Sequence, residues 1–186
     1  MRLFVGIPLA PPAREVLGRV LVRLEGMGWP VRWHRADDLH LTLKFLGEVG
    51  GERVDQVSGA LAEALEGTPE LHLVISGLGV FPHPARARVI WAGVENEPAL
   101  ELLADRLERR LEPLGFPVEW RPFHPHVTLG RVREGRRLPA EAGQELERPV
   151  PSASFEVPNV VLYESITGPS GAQHNARVTV PLGQRS

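Results

Sequence analysis

A short block, His-x-Thr-Leu within an apolar, strand-like segment, occurs twice in this chain of 186 residues. One copy lies in WHRADDLHLTLKFLG, which starts at Trp33, and the other in WRPFHPHVTLGRV, which starts at Trp120. Their histidines, His40 and His126, are 86 residues apart, a period too long for a solenoid and close to half of the chain. With 7 histidines and five threonines, about 0.2 His-x-Thr pairs are expected by chance. We therefore predict two related lobes within one domain that covers residues 1–186.

The order of secondary structure elements predicts the fold class. Alternating apolar residues indicate strands and 3.6-residue spacing indicates helices, with Pro and Gly at the boundaries. Strands interleaved with helices, and hairpin-like returns late in the chain, favour an α+β fold with mostly antiparallel sheet. The predicted strands are 2–7, 31–34, 39–46, 71–80, 88–94, 118–121, 126–132, 153–157, 160–166 and 176–181, and the predicted helices are about 11–25, 52–65 and 98–111.

Composition excludes several classes of function. The chain has no cysteine, which excludes disulfides, thiolate metal sites and cysteine nucleophiles. The net charge is −2 and the pI is about 6.4, which argues against a protein that coats nucleic acid but permits a focused phosphate site. No stretch approaches the ~18 apolar residues of a membrane span, and MRLFVGIPLA is too short for a signal peptide. We predict a cytoplasmic protein without a membrane partner.

The spacing within each motif gives it a chemical face. Side chains two residues apart on a strand point the same way, so His40 and Thr42 share one face while the leucines between and beside them pack in the core. His126 and Thr128 follow the same rule. If the two strands lie side by side, two imidazoles and two hydroxyls converge on one cleft.

This set of groups suits hydrolysis of a phosphodiester. One neutral histidine can take a proton from the attacking water, while a protonated histidine gives one to the leaving oxygen. The threonine hydroxyls can donate hydrogen bonds to the non-bridging phosphate oxygens. No metal is required, and a bell-shaped pH–rate profile is expected.

Two cations lie close to the motifs in sequence. Lys44 has the same strand parity as His40, so it can add charge to the cleft. Arg131 lies at an odd offset from His126 and would point away from a regular strand, unless a kink or bulge at Gly130 re-aims it. Arginine suits phosphate binding, so Arg131 is included as a candidate phosphate-binding residue.

Other interpretations concern the remaining histidines and aromatic residues. The sequence His124-Pro125-His126 could instead provide metal ligands, with Asp37, Asp38 or His40 completing the set. No carboxylate recurs in the second motif, which favours the metal-free interpretation. Histidines outside the motifs are interpreted as surface or loop residues, and they are His34, His72, His83 and His174. The two motif tryptophans, Trp33 and Trp120, are interpreted as core anchors of the lobes, and Phe123 as a ligand contact.

The paired motifs HLTL and HVTL resemble the 2H phosphoesterase superfamily. Within it, the chain is most similar to bacterial and archaeal RNA 2′,3′-cyclic phosphodiesterases, also known as 2′-5′ RNA ligases. The blocks RLFVGIPL, DDLHLTLKFLGEV, GVFPHPARARVIWAGV, FHPHVTLGRV and VVLYESITGPSG occur in the order typical of that family. The resemblance implies two pseudo-symmetric lobes of mostly antiparallel sheet, with outer helices around a central cleft.

The resemblance also implies an activity and residue roles. It implies hydrolysis of terminal 2′,3′-cyclic phosphates on RNA, such as tRNA halves, to 2′-phosphates by a monomeric protein without metal or cofactor. His40 would be the proton donor, His126 the proton acceptor, and Thr42 and Thr128 the phosphate binders. Reversible 2′-5′ ligation, another cyclic nucleotide or oligoadenylate substrate, and an RNA-end binding module without catalysis are the alternatives. The family often has an aromatic residue after Gly171, where this chain reads AQHNARV, so contacts to the terminal base should differ.

Overall fold

The computed structural model describes residues 1–168 and 171–183, and nine strands of this part of the chain form one sheet. Two residues of the block VVLYESITGPSG, Pro169 and Ser170, lie outside the described residues. The strands are β1 (Arg2–Pro8), β2 (Val31–Trp33), β3 (His40–Glu48), β4 (Leu71–Phe81), β5 (Val89–Val94), β6 (His126–Val132), β7 (Ala153–Val157), β8 (Asn159–Gly168) and β9 (Gly171–Pro181). The α-helices are α1 (Pro11–Glu25), α2 (Val54–Leu65), α3 (Pro98–Leu111) and α4 (Ala142–Leu146).

The two motif strands occupy the centre of the sheet. The strand order is β7-β4-β5-β6-β3-β1-β8-β9, and β2 pairs with β6. Every pairing of these strands is antiparallel, and β3 meets β6 where Leu41 lies opposite Val127. The sheet curls into a half-barrel. The predicted α+β fold with mostly antiparallel sheet in two related halves is confirmed.

The two halves are related by more than their motifs. On one side of the centre, β3 pairs with β1, which pairs with β8; on the other side, β6 pairs with β5, which pairs with β4. The register between β3 and β1 shifts by one residue at Leu43, and the register between β6 and β5 shifts by one residue at Leu129. Because each shift follows its histidine by three residues, both halves carry the same β-bulge.

Alternation along the motif strands separates the core from the cleft. Leu41, Val127 and Leu129 are fully buried, whereas the motif histidines and threonines next to them are half-buried, as the strand period predicts. Helices α1, α2 and α3 each bury one apolar side, and α2 packs against α3. Across the described residues, no helix has the length and apolar character needed to cross a bilayer.

The predicted strand at 118–121 is absent, and this segment has irregular backbone. Backbone groups in and next to this segment bond to side chains rather than to another strand. Lys44 donates to the carbonyl of Pro117, and Glu108 accepts from the backbone amide of Glu119. Trp120 is 92% exposed, so its prediction as a core anchor is wrong. Trp33 is half-buried and packs against the core, as predicted.

Candidate active site

The two His-Thr pairs lie next to each other on the central strands. One residue to either side of the Leu41–Val127 pair, the antiparallel register places His40 beside Thr128, and Thr42 beside His126. All four polar side chains are half-buried. Because Leu41 and Val127 point into the core, these four side chains point to the opposite, cleft-facing side of the sheet.

Each histidine is fixed by the same hydrogen bond. Nδ1 of His40 lies 2.9 Å from the carbonyl oxygen of Asp38, and Nδ1 of His126 lies 2.6 Å from the carbonyl oxygen of His124. A carbonyl can only accept, so Nδ1 carries the hydrogen in both rings. This tautomer leaves Nε2 of each ring free to accept a proton, or to donate one when the ring is charged.

Aromatic side chains from β1, β8 and β9, which follow β3 in the sheet order, surround His40. The ring centroid of Phe4 on β1 lies 4.7 Å from that of His40, and the centroid of His174 on β9 lies 4.8 Å away, in an edge-on arrangement. Tyr163 on β8 completes this group at 6.0 Å. Sequence reasoning missed all three contacts, because they depend on which strands neighbour β3.

A second aromatic group surrounds His126. Phe81 on β4 lies edge-on at 5.0 Å, and Trp91 on β5 lies at 6.2 Å between ring centroids. The indole of Trp91 lies over Gly79, where an added Cβ would come within 2.3 Å of the ring. Gly79 is therefore required for the close approach that brings Trp91 against His126.

Burial controls the charge state of both histidines. Removal from water lowers the pKa of His40 to about 4, opposed by its hydrogen bond to Asp38 and assisted by the nearby His174 and His34. Burial also lowers the pKa of His126, and the charge of Arg131 lowers it further. Burial therefore favours the neutral form of both rings.

Two of the predicted surface histidines lie at the site instead. His34 and His174 are half-buried, and burial lowers the pKa of each. His34 lies in the loop after β2, as predicted, and His174 lies on β9 rather than in a loop. Both histidines act on the charge state of His40, a proximity that the sequence did not indicate. His72 and His83 are exposed, as predicted.

A small cavity of about 140 Å³ opens beside His40. It is lined by Pro8, Leu9, Arg14, Asp37, Asp38, Leu39, His40, Tyr163 and His174. Within the described residues, no group of three or more His, Asp or Glu side chains is arranged to hold a metal ion. The alternative set of metal ligands around His124 and Asp38 is therefore not assembled.

The β-bulges decide where the two candidate cations point. The shift at Leu129 turns Arg131 to the exposed face, where its charge acts on His34 and His126. In a regular strand, Arg131 would point away from the face that carries His126. The bulge shifts the alternation by one residue, so Arg131 lies on the same face as His126. Neither Thr42 nor Thr128 uses its hydroxyl in a hydrogen bond within the described residues, so both hydroxyls are available to a ligand.

The same bulge removes Lys44 from the cleft. The shift at Leu43 reverses the strand parity, so Lys44 points to the core side with its side chain 5% exposed. There it forms an ion pair with Glu108 on α3 and donates to the carbonyl of Pro117 at 2.8 Å. The expectation that Lys44 adds charge to the cleft is wrong.

Comparisons with known proteins identify the family of the chain. Residues 23–169 match the model of the 2′-5′ RNA ligase superfamily. A protein of Archaeoglobus fulgidus, named RNA 2′,3′-cyclic phosphodiesterase, is 36% identical over 92% of this chain and 94% of its own length. A protein of the same name from Methanothermobacter thermautotrophicus is 33% identical over 92% and 93%.

Solved structures share the whole fold. The crystal structure of TT0787 of Thermus thermophilus superposes with a TM-score of 0.80 at 26% identity, covering 98% of both chains. The structure of E. coli LigT complexed with 3′-AMP superposes with a TM-score of 0.75 at 28% identity, again over 98% of both chains. The chain therefore belongs to the 2′-5′ RNA ligase superfamily, the family that its paired His-x-Thr motifs predicted.

Proposed function

We propose that this protein hydrolyses the 2′,3′-cyclic phosphate at the end of an RNA to a 2′-phosphate. The observation that carries the proposal is the pair of histidines on adjacent central strands, each tethered through Nδ1 to a carbonyl and each beside a free threonine hydroxyl. The names of relatives at 33–36% identity support the same substrate class.

In the proposed reaction, a water oxygen attacks phosphorus and the bond from phosphorus to the 3′ oxygen breaks. Nε2 of His126 takes the proton from the water, and Nε2 of His40 gives a proton to the departing 3′ oxygen. The products are a 2′-phosphomonoester and a 3′ hydroxyl. Since one ring gains a proton and the other loses one, a proton exchange with solvent restores the starting state.

The charge state of His40 constrains this assignment. With a pKa of about 4, His40 is neutral in the ligand-free protein at pH 7, whereas a proton donor has to be charged. A bound phosphate anion favours the charged imidazole. In the proposed mechanism, His40 therefore takes up its proton when the substrate binds.

Three groups are proposed to hold the phosphate. The hydroxyls of Thr42 and Thr128 donate hydrogen bonds to the non-bridging oxygens, where negative charge grows in the transition state. Arg131 adds a guanidinium on the same face, and its charge lowers the pKa of His126. These groups are all organic side chains, so the proposed reaction is metal-independent.

The first test is turnover of a short RNA ending in a 2′,3′-cyclic phosphate, measured in EDTA. We expect a 2′-phosphate product from the wild type, and a rate loss of about 10²–10⁴ in His126→Ala or His40→Ala. His72→Ala is the matched control, since His72 is exposed on β4, and it should retain full activity. Wild-type turnover in both motif variants would overturn the mechanism, and loss of activity in EDTA would overturn its metal independence.

A second substrate tests which histidine is the acid. When the leaving 3′ oxygen is replaced by sulfur, the leaving thiolate, whose conjugate acid has a pKa near 8.5, needs no proton donor. The sulfur substrate should therefore restore turnover to His40→Ala and leave His126→Ala inactive. Rescue of His126→Ala alone would reverse the two roles and keep the mechanism.

The proposal extends to the reverse reaction and to the setting of the enzyme. A 5′ hydroxyl held in place of water would give 2′-5′ ligation through the same two histidines. A monomeric, cytoplasmic protein acting on RNA ends such as those of tRNA halves stays a prediction. Gel filtration of the pure protein tests whether it is a monomer. Sequencing of the cyclic-phosphate RNAs that accumulate in cells without the enzyme tests which RNA ends it acts on.

A further inference from the structure

Six exposed arginines gather where β2, β5 and β6 meet. Four of them come from the run RVREGRR at the end of β6, one lies on the neighbouring strand β2, and one directly precedes β5. We call this group the arginine patch, and its members are Arg32, Arg88, Arg131, Arg133, Arg136 and Arg137.

Backbone contacts hold the patch together. Arg32 lies directly opposite Arg131 in the pairing of β2 with β6. The backbone amide of Arg136 donates to the carbonyl of Arg133 at 3.0 Å, and a guanidinium nitrogen of Arg88 donates to the carbonyl of Arg136 at 3.2 Å. The patch therefore joins residues of β2 and β6, the residue before β5, and the turn after β6.

The patch carries positive charge that its surroundings do not neutralise. None of the ion pairs formed among the described residues involves a patch arginine, and Glu134 is the carboxylate within the RVREGRR run. Like charges directly opposite each other on a sheet, such as Arg32 and Arg131, are destabilising. This concentration occurs in a chain of net charge −2, so it does not reflect a generally basic surface.

The patch is continuous with the candidate active site. Arg131 is its inner end, because the charge of Arg131 acts on both His34 and His126. From there the patch runs along the exposed face of β6 to the turn at Arg136 and Arg137. An RNA that ends in a 2′,3′-cyclic phosphate has all its other phosphates on the 5′ side of that end. A strand that leaves the cleft over Arg131 would therefore place those phosphates on the patch.

We propose that the arginine patch binds the backbone phosphates of the RNA strand on the 5′ side of the reacting end. This inference rests on the proposed function, and it makes the enzyme prefer oligonucleotides over single nucleotides. Each phosphate that an arginine neutralises releases counterions, so binding weakens as the salt concentration rises. A plot of the logarithm of the binding constant against the logarithm of the salt concentration has a slope of about −0.7 for each contact on a single strand.

The test compares two substrates, adenosine 2′,3′-cyclic monophosphate and a ten-nucleotide RNA ending in a 2′,3′-cyclic phosphate. The variant is the triple substitution Arg133→Gln/Arg136→Gln/Arg137→Gln, which leaves Arg131 in place. We expect kcat/KM on the oligonucleotide to fall about tenfold or more at low salt, and the salt slope to become shallower by about 2. Turnover of the single nucleotide should be unchanged, because it has no backbone phosphate to lose.

A matched variant controls for net charge. Arg19→Gln/Arg109→Gln/Arg110→Gln removes three exposed arginines from helices α1 and α3, and it should keep the wild-type preference and salt slope. Equal losses in both triple variants would show a general charge effect and overturn the patch.

Binding without turnover separates this inference from the proposed function. Fluorescence anisotropy with a labelled ten-nucleotide RNA carrying a 3′-phosphate measures patch binding even if the wild type hydrolyses neither substrate. Weaker binding by the patch variant alone supports the patch whatever the activity is. Equal binding by the wild type and the patch variant overturns it, even if cyclic-phosphate hydrolysis is confirmed.

Discussion

Replacement of Lys44 by methionine separates a structural role from a role in the cleft. The Lys44 side chain is 5% exposed, and its partner Glu108 is 15% exposed. Glu108 also accepts from the backbone amide of Glu119 at 3.1 Å, and Lys44 donates to Pro117. The pair therefore joins β3, α3 and the 117–119 segment, on the side of the sheet away from the histidines.

The expected loss of stability is large because the remaining charge stays buried. Removing one partner of a buried ion pair costs about 3–5 kcal/mol, which lowers the melting temperature of a chain of this size by about 10 °C. The double variant Lys44→Met/Glu108→Gln removes both charges and keeps an acceptor for Glu119. It should therefore recover more than half of the lost free energy of unfolding.

Urea denaturation followed by circular dichroism measures the free energy of unfolding, and kcat/KM is measured at 25 °C where both variants are folded. We expect kcat/KM of Lys44→Met to stay within about threefold of wild type, because binding of the transition state loses no direct contact. An unchanged free energy of unfolding together with a hundredfold loss in kcat/KM would refute this reasoning, since the amine would then face the phosphate.

Three further predictions concern pH and packing. Because burial lowers the pKa of His40 to about 4 and that of His126 below its ordinary 6.5, the bell-shaped profile of kcat/KM should peak below pH 6.5; a peak above pH 7 would contradict these values. As the pH falls, His40 gains its proton near pH 6.5 in the unfolded chain but only near pH 4 in the folded protein. The free energy of unfolding should therefore be about 3 kcal/mol higher above pH 6.5 than below pH 4 because of this residue. Urea titrations should show a shallower pH dependence in His40→Gln, and an unchanged one would refute the buried neutral state. Gly79→Ala should displace Trp91 from His126 and lower kcat/KM about tenfold, while Gly59→Ala, with nothing within 4 Å of its Cβ, should leave kcat/KM unchanged; equal activity of the two alanine variants would show that Trp91 does not position the histidine.

The elements of the fold were largely predictable because they depend on local pattern. Strands β1, β3 and β6 and helices α1 and α3 follow apolar periodicity and Pro and Gly boundaries, and they form within two residues of their predicted ends. The segment 118–121 has the same local pattern as a strand but does not form one. Lys44, 73 residues from Pro117, and Glu108 on helix α3 bind the backbone of this segment, and the local sequence pattern does not indicate these tertiary contacts.

The candidate site was predictable where side chains alternate regularly between the two faces of a strand, which we call strand parity. Parity places His40 with Thr42, and His126 with Thr128, and the structure brings the two pairs together. Parity alone misplaces Lys44, because a bulge is set by the pairing of two strands. The aromatic groups around the histidines were missed for a related reason. They come from strands whose neighbours are fixed only by the topology of the whole sheet.

The two equivalent bulges also explain how a duplicated motif gives an asymmetric cleft. Each bulge turns the fifth residue after the motif histidine to the cleft face, and this residue is Phe45 in one half and Arg131 in the other. Phe45 is 65% exposed and lies beside Phe4, which contacts His40. The candidate site is thus flanked by an aromatic surface on one side and a cationic surface on the other. A nucleotide end has the same polarity, with a base that stacks and a phosphate chain that carries charge. We therefore expect the difference between Phe45 and Arg131 to orient an RNA strand over the histidines and threonines of the proposed site.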